Sequence, residues 1–263
     1  MLDGRENPLV QEQYETWIYP EPIDDITAYF ANGYRQLFDP GACYHRLWPH
    51  RARRPFRALV AGCGANQAAI LAYSNPGDSF VGIDLSEPSL ENTRRLKRKH
   101  RLDNLRIERL SLFHVAALGE RFDFIVSSGV LHHLPDPLAG CKALACALER
   151  DGVMTLMLYG RAGRAGIYML QEAFRALGLE RDPEGVAAVR KVVAELPADH
   201  AARRFIAGSR DLTYDAGVVD LFLHPQDRAY SVAEIYDFVA AAGLRFEGWA
   251  LPMEYDPTAK LSP

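Results

Sequence analysis

Apolar runs recur through the middle of the chain at roughly twenty-residue spacing: FRALVA (56–61), SFVGID (79–84), LRIERL (105–110) and FDFIVSS (122–128), with VMTLMLY following at 153–159. This rhythm constrains the fold more than any other feature. Three of the runs are almost continuously apolar, as strands covered on both faces must be. Helical patterns fill the gaps over 66–74, 87–99 and 137–148. Strand–helix alternation at this spacing predicts an α/β fold. The expected form is a doubly wound, mostly parallel sheet with helices on both faces and right-handed crossovers.

The rhythm breaks after Tyr159, and the next strand-like segment, LRFEGWAL (244–251), comes some 85 residues later. Between them GIYMLQEAFRALGL, PEGVAAVRKVVAEL and PADHAARRFIAG read as helices punctuated by Gly and Pro. Ile167, Leu170, Phe174 and Leu177 fall at the spacing of one apolar helix face. Four regions follow: residues 1–55, an aromatic N-terminal segment expected over the ligand edge; 56–160, the core; 161–230, a helical insertion or lid; and 231–263, the last helix and strand. Ser231 with Glu234 predicts a capping box for a helix over 232–242. The final stretch EYDPTAKLSP (254–263) brings no seventh strand, so a shortened chain with a further domain beyond it is one expectation.

Composition excludes several classes. With 48% hydrophobic residues the chain can bury a real core, and a net charge of -4 gives no pull toward nucleic acid or anionic membrane. No apolar run approaches the ~20 residues a membrane span needs. The polar, acidic N-terminus is neither a signal peptide nor a transit peptide. Cys43, Cys63, Cys141 and Cys146 form no C-x-x-C pair. Reduced thiols in a cytoplasmic enzyme, with no metal site, are the expectation.

The segment RALVAGCGANQ (57–67) ends the first strand in two glycines one residue apart. In an open parallel sheet ligands bind beyond the carboxyl ends of the strands, where the winding reverses. Glycine lets the backbone come close to such a ligand. Asp84, at the tip of the second strand, can accept hydrogen bonds from two ribose hydroxyls. A dinucleotide would need a third glycine for close helix packing and a seat for its pyrophosphate, and Gln67 stands in that place. S-adenosylmethionine (SAM) has no phosphate and asks only for close backbone approach.

Over about 59–159, LVAGCGANQAAILAYSNPGDSFVGIDLSEPSLENTRR and FDFIVSSGVLHHLPDPLAGCKALACALERDGVMTLMLY resemble the ordered motifs of class I SAM-dependent methyltransferases, which have a Rossmann-like sheet. The resemblance implies that Ala61, Gly62, Cys63 and Gly64 line the methionine end of SAM, that Asp84 holds the ribose and that Leu85 packs on the adenine. Ser127, Ser128, Gly129 and Val130 would pass under the sulfonium. Asn66 departs from the family's small residue, which a left-handed backbone would accommodate. Ser111 or His114 stands where many relatives carry an acid facing the adenine; Ser111 is taken as the contact.

His132 and His133, in GVLHHLPDP, follow the fourth strand, where a histidine could take a proton from the acceptor. His132 is the candidate base and His133 a substrate contact, although transfer from a sulfonium often needs only in-line placement. The N-terminal QYETWIYP resembles an element preceding the core in some bacterial relatives. Tyr14 and Tyr19 there could close over the cofactor by cation–π attraction, or serve with Trp17 as packing anchors. Tyr159, His224, Arg228 and Tyr230 are the remaining candidate substrate contacts; Arg228 could instead pair with Asp227. The basic runs HRARRPFR (50–57) and RRLKRKHR (94–101) read as solvated surface rather than a grip on RNA. The expected function is methyl transfer from SAM to an O, N or C atom of a small molecule. The alternatives are an RNA or protein methyltransferase, a cofactor-binding module without catalysis, or a nicotinamide-dependent oxidoreductase.

Overall fold

The structure is a computed structural model that describes residues 6–33, 38–251 and 255. Helices α1 (Pro8–Thr16) and α2 (Ile26–Ala31), capped by the side chains of Asn7 and Asp25, come first, followed by the single turn α3 (Tyr44–Leu47). The core then runs β1 (Arg57–Ala61), α4 (Gln67–Ser74), β2 (Ser79–Asp84), α5 (Glu87–His100), β3 (Leu105–Arg109), β4 (Phe122–Ser128), α6 (Pro137–Cys146) and β5 (Leu148–Met157). Next come β6 (Tyr159–Gly160), α7 (Arg161–Ala176), α8 (Pro183–Glu195), α9 (Arg203–Gly208), α10 (Asp215–Phe222), β7 (Ala229–Tyr230) and α11 (Val232–Ala241).

Five parallel strands form the main sheet in the order β3-β2-β1-β4-β5, so the winding reverses at β1. This is the expected doubly wound sheet. Successive side chains of a strand point to opposite faces. Ala58 and Val60 therefore enter one buried cluster with Ile70, Phe80 and Phe124, while Leu59 and Ala61 enter another with Ile83, Phe122 and Ile125. Both faces are dry, which is why the β1 run is continuously apolar.

The insertion builds a third cluster of its own. Ile167, Leu170 and Phe174 of α7 pack on Val186, Val189 and Val193 of α8 and on Val218 and Phe222 of α10. Leu177, expected on the same face, is 69% exposed because the helix ends there and the chain turns away. The insertion rejoins the core where β7 pairs in parallel with β6 beyond the end of β5. Ser231 and Glu234 form the expected capping box.

Two expectations need correction. Residues 244–251 are not a strand. Their backbone carbonyls at Trp249 and Ala250 accept the Arg46 guanidinium, and Phe246 and Trp249 cluster with Tyr236 of α11. An aromatic knot has taken the place of a sixth ladder. The N-terminal segment does not lie as a whole over the ligand edge either. Its second half packs at the opposite end of the strands, with Tyr44 and Trp48 against Phe56. Of the final stretch 254–263, all but Tyr255 lies outside the described residues.

Most charges of both basic runs are paired within the chain. Arg94 pairs with Glu87 and Glu91, Arg98 with Glu91 and Lys99 with Asp25, while Arg53 and Arg51 reach Asp78 and Asp123.

Candidate active site

The carboxyl ends of β1, β2 and β4 open into one large cavity of about 860 Å3. Its floor is the glycine turn. Gly62, Gly64 and Gly129 all take positive φ, the left-handed region that an L side chain resists. At Gly62 a Cβ would stand 2.3 Å from the Val130 side chain, so no larger residue fits the turn. Asp84 braces it: one carboxylate oxygen accepts the Gly64 N–H at 2.8 Å and the other the Ser86 N–H at 2.9 Å. Each oxygen keeps a second lone pair. Burial pushes the Asp84 carboxyl up, and the backbone N–H groups oppose it.

Most of the anticipated cofactor contacts line this cavity together: Gly62, Cys63, Gly64, Asn66, Asp84, Leu85, Ser111, Ser128, Gly129 and Val130. Ala61 does not. It is fully buried among Leu59 and Ile83, because its side chain points into the sheet's other face. Ser127 is likewise buried beneath the wall. Asn66 is accommodated without a left-handed backbone, at φ -135. Its amide instead ties the N-terminal segment to the turn, donating to the Glu21 carbonyl at 2.8 Å and accepting the Ile23 N–H at 3.0 Å. Ser111 lines the cavity and caps the following 3-10 turn through Phe113 N–H; His114 is exposed.

The N-terminal aromatics reach the cavity as anticipated. Tyr14 and Tyr19 line it, and the Pro20 ring sits where a Cβ on Gly64 would meet it at 3.3 Å. The Tyr14 hydroxyl donates to Asp220 at 2.8 Å, and Tyr19 stacks on Tyr214. Trp17 is a packing anchor, its indole N–H on the Arg181 carbonyl.

The paired histidines separate in role. His132 is fully buried, both ring nitrogens lack partners among the described residues, and its ring lies 3.7 Å from that of Tyr159. Burial drives its pKa far down, and it does not line the cavity, so its candidacy as base is withdrawn. His133 does line the cavity beside Tyr159. Its Nδ1 lies 2.9 Å from the Gln226 carbonyl, which must accept, so the neutral ring carries its proton on Nδ1 and leaves Nε2 as an acceptor. His224 has the opposite tautomer. The Gln226 N–H donates to its Nδ1 at 3.1 Å, which puts the proton on Nε2, 3.3 Å from the Tyr14 hydroxyl. One backbone residue thus sets both rings.

His224 stands behind Tyr14 rather than on the cavity wall, and Arg228 and Tyr230 are also away from it. Tyr230 is buried against Phe238, while the exposed Arg228 lies over the Tyr230 ring and near Glu234. The residues of the insertion that do form the wall were not singled out in the sequence: Arg164, Phe205, Arg210, Asp211, Tyr214 and Asp220. Arg164 is buried, its guanidinium 3.5 Å over the Tyr159 ring and 3.6 Å from Asp227. Asp220 did carry a signal, being a lone acid inside the apolar run GVVDLFL (217–223). Ligand-type atoms of His133, Asp220 and His224 also come within 4.8 Å of one another, although no metal site was expected. The two imidazoles stack at 3.9 Å and are tilted by only 25°, so their in-plane lone pairs run side by side rather than converge.

A family profile described as a methyltransferase domain matches residues 59–154. With the sheet order and the glycine turn, this marks residues 59–154 as a SAM-dependent methyltransferase domain on a Rossmann-like sheet. An uncharacterized protein of Synechococcus is 35% identical over 205 residues, which cover 74% of this chain and 48% of that one. The ubiquinone biosynthesis O-methyltransferase of Haemophilus ducreyi is 30% identical over 122 residues, covering 43% and 49%. The chain spans about half the length of these curated relatives. Among solved structures, PKMT2 from Rickettsia typhi in complex with AdoHcy shares the fold, with a TM-score of 0.65 and 15% identity over 81% of this chain and 44% of that one. No helix among the described residues is long and apolar enough to cross a membrane.

Proposed function

We propose that the chain transfers the methyl group of SAM to a small molecule held in the chamber walled by the insertion. One observation carries this reading: a single cavity runs from the glycine turn and Asp84 to His133, Tyr159 and the walls supplied by α7 and α10. Its volume, about 860 Å3, lies at the upper end of ligand pockets and suits a cofactor with a small acceptor beside it.

The cradle fits SAM. Gly62 and Gly64 turn the backbone through positive φ at the cavity floor, which would bring it close to the methionine moiety. The second lone pairs of Asp84 would take the two ribose hydroxyls, and Leu85 and Leu112 would flank the adenine. Ser111, whose oxygen already accepts the Phe113 N–H, keeps its own proton to donate to an adenine nitrogen. Bound SAM supplies a methyl group on a good leaving group, so the chain has mainly to align the acceptor and exclude water. Tyr14 and Tyr19, anchored to α10 and the preceding turn, would close the entrance. His133 Nε2 would accept a hydrogen bond from the acceptor.

Isothermal titration with S-adenosylhomocysteine and with NAD tests the cofactor: the first should bind and the second should not. Labelled-methyl SAM added to cell extract, followed by mass spectrometry of the labelled fraction, then tests the acceptor. Label recovered on a metabolite supports the reading, while label confined to RNA or protein would refute the small-molecule part of it.

A further inference from the structure

The wall of the acceptor chamber contains a carboxylate that makes no ion pair among the described residues. Asp220 is 2% exposed, lines the cavity and forms no ion pair among the described residues. Its Oδ1 accepts the Tyr14 hydroxyl, and among the described residues its Oδ2 accepts no hydrogen bond. Burying an ionised group without a partner is costly, and proteins seldom leave one so. The nearby guanidinium of Arg164 is engaged elsewhere, between Asp227 and the Tyr159 ring. Around Asp220 stand the phenols of Tyr14, Tyr19, Tyr159 and Tyr214, the acids Asp211 and Asp227 and the imidazoles of His133 and His224, with Arg164 the cation that acts on it from a distance. A desolvated carboxylate set among phenol oxygens offers the acceptors that recognise an ammonium group.

We infer that the methyl acceptor is an amine, whose ammonium form is held by Asp220 among these tyrosines. The inference rests on the methyltransferase reading and narrows its substrate class. An ammonium nitrogen has no lone pair, so it must lose a proton before it can attack. The Asp220 carboxylate takes that proton through Oδ2. The freed amine attacks the methyl carbon of SAM: a C–N bond forms, the C–S bond breaks, and its electrons remain on sulfur as neutral S-adenosylhomocysteine. The positive charge passes from sulfur to the methylated nitrogen. Burial and the neighbouring Asp211 raise the Asp220 carboxyl to about 7, a value suited to receiving a proton near neutrality. His224 supports the arrangement from behind, donating to Tyr14, which in turn donates to Asp220.

The test uses the full chain and three probes that share one skeleton: 2-phenylethylamine, 2-phenylethanol and 3-phenylpropionate. S-adenosylhomocysteine is titrated first. If it does not bind, the methyltransferase reading falls and takes the acceptor with it. Each probe is then titrated at neutral pH into the S-adenosylhomocysteine complex. The amine should bind at least tenfold more tightly than the alcohol and the carboxylate. Asp220→Asn should abolish that advantage while keeping the affinity for S-adenosylhomocysteine. Equal binding of amine and alcohol by the wild-type protein would overturn the inference without any variant. So would an Asp220→Asn protein that keeps the amine's advantage. Either result leaves the cofactor reading standing.

Discussion

Asp220 also makes a quantitative prediction about stability. Its carboxyl titrates near 3.8 in an ordinary setting and is raised to about 7 in the fold, chiefly by burial. The difference between 3.8 and about 7, at about 1.4 kcal/mol per pH unit, corresponds to roughly 4 kcal/mol. The sign follows from proton binding. Between the two values the folded state holds the proton and the unfolded state has lost it. The stabilisation from that proton is complete below pH 3.8 and is lost as pH rises through 7. Asparagine has almost the same shape and cannot ionise. The unliganded Asp220→Asn protein should therefore lie within about 1 kcal/mol of the wild type near pH 4.5 and exceed it by about 4 kcal/mol at pH 8. Urea unfolding of both proteins at half-unit pH steps measures the difference, in which the other titrating groups cancel. A difference that stays flat from pH 4.5 to 8 would refute the claim that this carboxylate is buried without a counter-charge.

Asp84→Ala should weaken S-adenosylhomocysteine at least tenfold in calorimetry, since a charge-assisted hydrogen bond is worth about 1.5–3 kcal/mol, with circular dichroism confirming a folded protein. Gly62→Ala should lower stability by about 1–3 kcal/mol in urea unfolding, because the new methyl overlaps the Val130 side chain. Phe174→Ala opens a hole in the insertion's own cluster and should cost about 3–5 kcal/mol in the same assay. Arg228→Ala should leave S-adenosylhomocysteine affinity within about threefold, under roughly 0.7 kcal/mol, and turnover nearly unchanged; a tenfold loss of either would return Arg228 to the site.

Much of the core and of the cofactor cradle was legible in the sequence because it depends on local chemistry. Continuous apolar runs such as 57–61 require burial on both faces, and the connections between them leave room for crossover helices. The glycines at 62 and 64 and the acid at 84 sit at strand tips, where a parallel sheet places them at its ligand edge whatever surrounds them. Adjacent residues were resolved less well, since strand alternation sends Ala61 inward while the turn beyond it opens to the cavity. The acceptor chamber was not legible. Its wall joins Tyr14 to Asp220 and His133 to Gln226, pairs separated by 206 and 93 positions, and no periodicity records such a meeting. His132 and His133 look equivalent in sequence, yet one ring is sealed under Tyr159 and the other faces the cavity. Arg228 looked like an anion contact, but α11 holds Glu234 beside it. Local sequence decided which segments become strands, turns and capped helices; only the packing of the insertion and the N-terminal helix decided which charges are desolvated and which meet water.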